Sequence, residues 1–239
     1  MPYYGGGFFF DPMYFVFIIP AALLALYAQW RVQSAYSKWG QVRNSQNLTG
    51  ADVARILLPR ENLSQVPVQE IPGQLSDNYD PGRNVLNLSQ AVAEQPSIAA
   101  ASIAAHEIGH AEQDRDGYLW MKVRGGIVPF VNIGSTLGYL VFLGGLLGQI
   151  STLAWIGIFM VSAGAIFALV TLPVELNAST RAMRMLNENG LIASEEERRA
   201  MRDMLTAAAL TYVAAAAQAV STILYYIFLL MGSNRRRSD

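Results

Sequence analysis

The chain has 239 residues, of which 52% are apolar and only 15% are charged. This composition is too apolar for an average soluble domain and favours an integral membrane protein in contact with a lipid bilayer. The net charge of −1 gives no reason to expect a nucleic-acid partner, and the absence of cysteine excludes a disulfide framework, a thiolate nucleophile and a cysteine-ligated zinc site.

Four apolar segments predict transmembrane helices, because a helix needs about 20 apolar residues to cross a bilayer. The first segment is the shortest, and Trp30 at its inner end is typical of an interfacial anchor. Its N-terminal flank lacks Lys and Arg, which favours an uncleaved anchor over a secretory signal peptide. The predicted spans cover residues 13–30, 127–148, 152–174 and 207–231.

Two polar regions separate these spans, and the larger one is predicted to contain a short β-hairpin. Val66–Ile71 and Asn84–Leu88 have strand-like patterns, and Asp80–Arg83 between them is a strong turn signal. We expect the two strands to pair across this turn.

The larger region then continues into an alanine-rich segment that predicts a helix. Pro96 is expected in its first turn, and the helix should end before Gly117. The second polar region, residues 175–203, predicts two helices. They are separated at Asn189–Gly190, and Ser194–Glu197 restarts the second one as a capping box.

The sequence contains only two histidines, and both lie in the five residues His106-Glu107-Ile108-Gly109-His110. Positions four apart share one face of a helix, so both imidazoles can reach a single metal ion. Glu107 lies about 100° further round the helix, where it can take a proton from a metal-bound water without binding the metal itself. This H-E-x-x-H spacing is typical of zinc metallopeptidases.

A catalytic zinc site needs a third protein ligand and one open position. With no third histidine and no cysteine, that ligand must be Asp or Glu. Asp114 lies about 12 Å along the axis from His106, too far for one straight helix to bring both to one ion. Asp116 has the spacing of the third ligand in the extended metzincin pattern, but Gln113 replaces the glycine that this pattern needs. Glu175 follows two spans that return the chain to the same membrane face; its alternative role is an interfacial residue that caps a helix.

Three segments, LSDNYDPGRNVLNLS, SIAAASIAAHEIGHAEQ and LPVELNASTRAMRML, resemble the YugP-type membrane zinc metallopeptidase family, and the likeness extends to the order of the spans. In that family, the glutamate of a motif like E-x-x-A-S is the expected third ligand, which corresponds to Glu175. The resemblance thus implies one Zn²⁺ per chain, held by His106, His110 and Glu175, with Glu107 as the catalytic residue.

The chain departs from the related patterns at two positions. Membrane peptidases of the HtpX type carry an acidic residue four positions after the ligand glutamate, where this chain has Ser179. The group that orients the ligand histidines is therefore left open. The family also tends to have a histidine at the position of Asn78, so Asn78 is not a metal ligand of the usual kind.

The predicted fold is mainly α, with four transmembrane helices and a small α+β zincin-like catalytic region, made of the HExxH helix and a short β-hairpin, at one membrane face. It forms a single domain, residues 1–239. The catalytic region combines residues 31–126 and 175–203.

The predicted function is that of a gluzincin-like zinc metalloendopeptidase that hydrolyses polypeptide substrates near the membrane surface, with Glu107 as general base on zinc-bound water. The alternatives are a catalytically silent membrane scaffold of the same fold and a zinc hydrolase of a non-peptide membrane substrate. A regulatory membrane partner is compatible with each of them, but no motif identifies one. Tyr79, Tyr118 and Arg181 are candidates for stabilising the oxyanion, and Asn84–Leu88 is the candidate strand for pairing with an extended peptide.

The expected location is a bacterial plasma membrane, and the distribution of basic residues predicts a cytoplasmic active site with both termini outside. Lys and Arg flank the predicted spans on the catalytic side, at Arg31, Lys38, Arg43, Lys122, Arg124, Arg181 and Arg184. The Arg235–Arg237 tail argues for the opposite orientation.

Overall fold

The computed structural model describes residues 12–238, and within them the chain is mainly helical with one small sheet. The helices are α1 (Pro12–Trp39), α2 (Gly50–Arg60), α3 (Gln90–Glu94), α4 (Ile98–Arg115), α5 (Leu119–Leu147), α6 (Ser151–Glu188) and α7 (Glu195–Ser238). The strands are β1 (Val68–Ile71), β2 (Asn78–Asp80) and β3 (Val85–Ser89). The side chains of the Arg235–Arg237 tail lie outside the described part of the chain.

The predicted spans coincide with the four long helices, apart from residue 148, which lies just past the end of α5. In the described residues, α1, α6 and the Glu195–Gly232 part of α7 are each long and apolar enough to cross a membrane. Helix α5 qualifies if its parts Leu119–Gly134 and Thr136–Leu147, which meet at 43°, count as one span. The bend lies at a Gly–Ser pair, a common position for helix kinks. Three spans are therefore matched by single helices and the fourth by a bent one.

The chain divides into two compact units. One comprises the described parts of residues 1–27, 124–170 and 212–239, and within it the ring of Phe142 stacks on Tyr226 at 4.3 Å between centroids. The other comprises residues 28–123 and 171–211 and contains the two histidines.

The sheet differs from the predicted hairpin. Its strand order is β1-β3-β2, with β1 parallel to β3 and β2 antiparallel to β3. The partner across the Asp80–Arg83 turn is therefore β2, a strand of three residues that the sequence pattern does not reveal. Asp80 Oδ1 accepts hydrogen bonds from the backbone N–H groups of Gly82 and Arg83, which stabilises this turn.

The prediction that Asn84–Leu88 pairs with an extended substrate is wrong. These residues form most of β3, the central strand, whose two edges are already hydrogen-bonded to β1 and β2. A substrate peptide therefore finds no free edge on β3 to pair with.

Helix α4 begins and ends with well-defined caps. The Ser97 hydroxyl accepts a hydrogen bond from the N–H of Ala100, so Ser97 is the N-cap and Pro96 precedes the helix rather than lying in its first turn. At the other end, Gly117 has a φ of +65°, and the N–H of Tyr118 bonds to the carbonyl of Gln113. This Schellman arrangement confirms the predicted end before Gly117.

The core of the second unit surrounds α4. Ala104, Ala105 and Ile108 have no exposed surface and pack in one cluster with α2, β3 and parts of α6 and α7. Because alanine side chains are small, neighbouring elements can approach α4 closely on several sides. The predicted break at Asn189–Gly190 is confirmed as the connection between α6 and α7, where Gly190 has a φ of +67°.

Candidate metal centre

The two histidines lie one turn apart on α4, as their spacing predicts. Their ring centroids are 4.8 Å apart. The Nε2 atoms of both rings face the same carboxylate oxygen, Glu175 Oε2, at 3.2 Å from His106 and 3.5 Å from His110. The side chains of Glu175, His110 and His106 are 3%, 10% and 13% exposed, and one ligand atom from each lies within 4.8 Å of the others.

Glu175 comes from α6, and a close approach between α6 and α4 brings it to the histidines. Gly109, between the two histidines, faces the backbone of Ala178. A Cβ atom at position 109 would lie only 2.7 Å from the Ala178 carbonyl oxygen. Gly109 is therefore a packing contact that allows the two helices to meet at the distance the site needs.

Ion pairs hold the same two helices together beyond the site. Glu112 of α4 is buried and accepts a hydrogen bond from Arg184 of α6 at 2.8 Å. Arg181, also on α6, lies 3.1 Å from Glu112 and 2.7 Å from Asp116. Since Glu175 lies on α6, these pairs help to fix its position relative to the histidines.

The two alternative third ligands are engaged elsewhere. Asp116 caps α4 and accepts hydrogen bonds from Arg115 and Arg181; partial burial acts against it, but these bonds lower the pKa of Asp116. Asp114 accepts a hydrogen bond from the hydroxyl of Tyr79 at 2.9 Å. Neither belongs to the group formed by His106, His110 and Glu175.

Glu107 is held by the sheet rather than by the histidines. Its Oε2 atom accepts a hydrogen bond from the backbone N–H of Tyr79, in edge strand β2, at 3.0 Å. Burial raises the pKa of Glu107, and the negative charges of Glu175 and Asp77 act in the same direction, while the histidines oppose them. A carboxylate with a raised pKa is suited to taking up a proton and later returning it.

The protonation of His110 affects whether its imidazole can bind a metal. Burial lowers its pKa, but the hydrogen bond with Glu175 and the charges of Glu107 and Glu175 outweigh burial, so the pKa of His110 is raised. Because only the neutral imidazole binds a metal, metal affinity should fall as the pH falls.

The Nδ1 atoms of the two rings contact residues that sequence reasoning did not assign. His106 Nδ1 lies 3.2 Å from Ser179 Oγ, and His110 Nδ1 lies 2.9 Å from Gln113 Oε1. The spacing carried a signal for both contacts: Gln113 is three residues after His110, and Ser179 is four residues after Glu175, so each pair shares a helix face.

Two of the three oxyanion candidates are committed to other contacts. The hydroxyl of Tyr79 is hydrogen-bonded to Asn84 and Asp114. The guanidinium of Arg181 contacts Asp116 and Glu112, as described above. The assignment of Tyr118 stays a prediction.

The exposed side chain of Asn78 contacts Ser76 and Asn87 and lies outside the group of three candidate ligands. The expectation that Asn78 is not a metal ligand stays a prediction.

Comparison with known proteins adds a family. Residues 14–231 match the model of a family described as "Putative neutral zinc metallopeptidase". The chain belongs to this family. It is also 43% identical to the "Putative membrane protease YugP" of Bacillus subtilis (strain 168). The similarity extends over 186 residues, which make up 77% of this chain and 83% of that protein. No solved structure matches the chain at a significant level.

The donor set fits the zinc ion that the family implies. Ligand atoms placed tetrahedrally at 2.0–2.1 Å from zinc are separated from one another by about 3.3 Å. The separations of Glu175 Oε2 from the two Nε2 atoms, 3.2 and 3.5 Å, are close to this value. Two imidazoles and one carboxylate are also a common ligand set of catalytic zinc.

Proposed function

We propose that this chain is a membrane metalloendopeptidase that hydrolyses peptide bonds of proteins near the membrane surface. In this proposal His106, His110 and Glu175 hold one zinc ion per chain, and Glu107 is the general base. The observation that carries the proposal is the convergence of two Nε2 atoms and one carboxylate oxygen beside a second buried carboxylate, that of Glu107. Membership of a zinc metallopeptidase family supports the same reaction.

The proposed roles follow from the contacts of each side chain. Zinc, when bound, supplies a Lewis acid that polarises a carbonyl and acidifies water. The Tyr79 N–H holds Oε2 of Glu107, so the carboxylate keeps a fixed orientation beside the ligands. Glu107 takes the proton of the attacking water and delivers it to the leaving amine. Deep burial of Glu175 limits competition from bulk water at the ligand side of the site.

We further propose that the site works at the cytoplasmic face of a bacterial plasma membrane. Three long apolar helices, the bent α5 and the similarity to a membrane protease support a membrane location. The excess of Lys and Arg on the catalytic side of the spans supports the cytoplasmic orientation. A reporter fused to the C-terminus tests it: the proposal expects a signal outside the cytoplasm, and a cytoplasmic C-terminus contradicts it.

The enzymatic proposal is tested by purifying the full chain and the Glu107→Gln variant in detergent. Both should bind zinc, since Glu107 is not a ligand in this scheme. Only the wild type should degrade an unfolded polypeptide, in a chelator-sensitive manner, with a loss of about 10²–10⁴-fold in the variant. Zinc binding without cleavage of any polypeptide would instead favour the silent scaffold or the hydrolase of a non-peptide substrate.

A further inference from the structure

The ligand histidines are oriented by two uncharged residues. A metal-binding histidine usually donates its second ring N–H to a carboxylate, a carbonyl or water. Because both Nε2 atoms face Glu175, the Nδ1 atoms carry this second hydrogen bond, and their neighbours are Ser179 Oγ and Gln113 Oε1. No carboxylate takes this position for either ring among the hydrogen bonds of the described residues.

Gln113 has a fixed orientation. Its side chain has no exposed surface, and its Nε2 atom donates to the carbonyl of Val174 at 2.8 Å and to Asn177 Oδ1 at 3.0 Å. Because the amide nitrogen donates to both of these acceptors, the amide oxygen of Gln113 is the atom that faces His110. An oxygen that only accepts requires the proton on Nδ1 of His110, which leaves Nε2 free to bind a metal.

Ser179 performs the same role for His106 from the helix that carries the third ligand. It lies one turn after Glu175 on α6, so one face of this helix presents both the carboxylate and the hydroxyl to His106. The position of α6 therefore sets two contacts of the same ring together.

We propose that Ser179 and Gln113 are positioning residues of the metal centre, and that their lack of charge limits its metal affinity. The proposal rests on the proposed metal site, because it concerns the same histidines. A carboxylate acceptor makes a stronger hydrogen bond than a hydroxyl and raises the basicity of the imidazole. A chain with a carboxylate at position 179, hydrogen-bonded to His106, should consequently bind zinc more tightly than the wild type does.

A series of substitutions at position 179 of the full chain tests this proposal, with zinc affinity measured by competition against a chromogenic chelator. We expect Ser179→Ala to weaken zinc binding by about 10–100-fold. Ser179→Thr retains a hydroxyl and should restore affinity close to the wild-type value. Ser179→Asp should bind zinc more tightly than wild type, a gain that misfolding cannot produce. The matched control is Thr180→Ala, which removes an exposed hydroxyl that bonds only to its own helix.

Cobalt(II) supplies a second readout that a general loss of stability does not mimic. The absorption spectrum of the cobalt-substituted chain should change in Ser179→Ala and Gln113→Glu and stay unchanged in Thr180→Ala. Equal zinc affinity across the Ser179 series would overturn the proposal while leaving the peptidase function intact. A wild-type chain that binds no zinc would overturn both.

Discussion

Substituting Gly109 by alanine tests whether the approach of α6 to α4 builds the metal site. The added Cβ would lie 2.7 Å from the Ala178 carbonyl oxygen, whereas ordinary contacts between such atoms are at about 3.5 Å. The α6 backbone must therefore move away by roughly 0.8 Å. Zinc sites tolerate changes of only about 0.2 Å in ligand distance. The displacement of Glu175 that follows should weaken zinc binding markedly.

The same substitution has two opposing effects on stability. Alanine favours a helix over glycine by about 1 kcal/mol. Overpacking against a backbone carbonyl costs about 1–3 kcal/mol. We expect the cost of overpacking to be the larger effect, because the Ala178 carbonyl is backbone and cannot rotate away. The net result should be a loss of up to about 2 kcal/mol in unfolding free energy.

Zinc affinity by chelator competition and thermal unfolding of the metal-free chain are the two assays for Gly109→Ala. Gly125→Ala is the matched control, because it also adds a methyl group to a helical glycine but has no neighbour within 4 Å. The control should match wild type in zinc affinity and be equally or more stable. A Gly109→Ala variant with wild-type zinc affinity would refute the claim that this contact positions Glu175.

Three other perturbations test the surroundings of Glu107 and the proposed metal. Tyr79→Phe keeps the N–H that holds Glu107 but removes the hydroxyl bonded to Asn84 and Asp114, so denaturant unfolding should show a loss of about 1 kcal/mol; unchanged stability would contradict the contact. Burial raises the pKa of Asp77, so the folded chain holds the proton of this carboxyl group more tightly than the unfolded chain does. The protonated carboxyl therefore stabilises the fold fully below pH ~4, and this stabilisation is lost as the pH rises through the folded pKa. Asp77→Asn should flatten that decline in unfolding free energy, and an unchanged pH profile would argue against it. Removal of metal by a chelator should lower the melting temperature of the wild type, reversibly on return of zinc, since a ligand that binds only the folded state stabilises it; an unaffected melting temperature would exclude a tightly bound metal.

Local signals in the sequence predicted much of the helical framework. Long helices cover the apolar segments, and the Asn189–Gly190 break and the end of α4 before Gly117 are confirmed, because each depends on residues close together in the chain. The partners of the strands were harder to predict. The pairing of β1 with β3 is set by tertiary packing, and the three residues of β2 are too few to show a periodic pattern.

The candidate site divides in the same way. The H-E-x-x-H spacing alone placed His106 and His110 on one face of α4, whereas selecting Glu175 over Asp116 needed the family resemblance. The helix spacing pairs Gln113 with His110 and Ser179 with Glu175, but it does not assign the roles proposed for them, because serine and glutamine occur in many neutral contacts. Only the distances to the two Nδ1 atoms distinguish them.

The zinc content of purified Glu175→Ala and Asp116→Ala chains tests the proposed centre most directly. The wild type and Asp116→Ala should each hold one zinc ion per chain, because Asp116 is bound to Arg115 and Arg181 outside the site. Glu175→Ala should lose most of its zinc, since only two imidazoles would remain. If Glu175→Ala keeps its full zinc content and Asp116→Ala loses it, the centre formed by His106, His110 and Glu175 is incorrect.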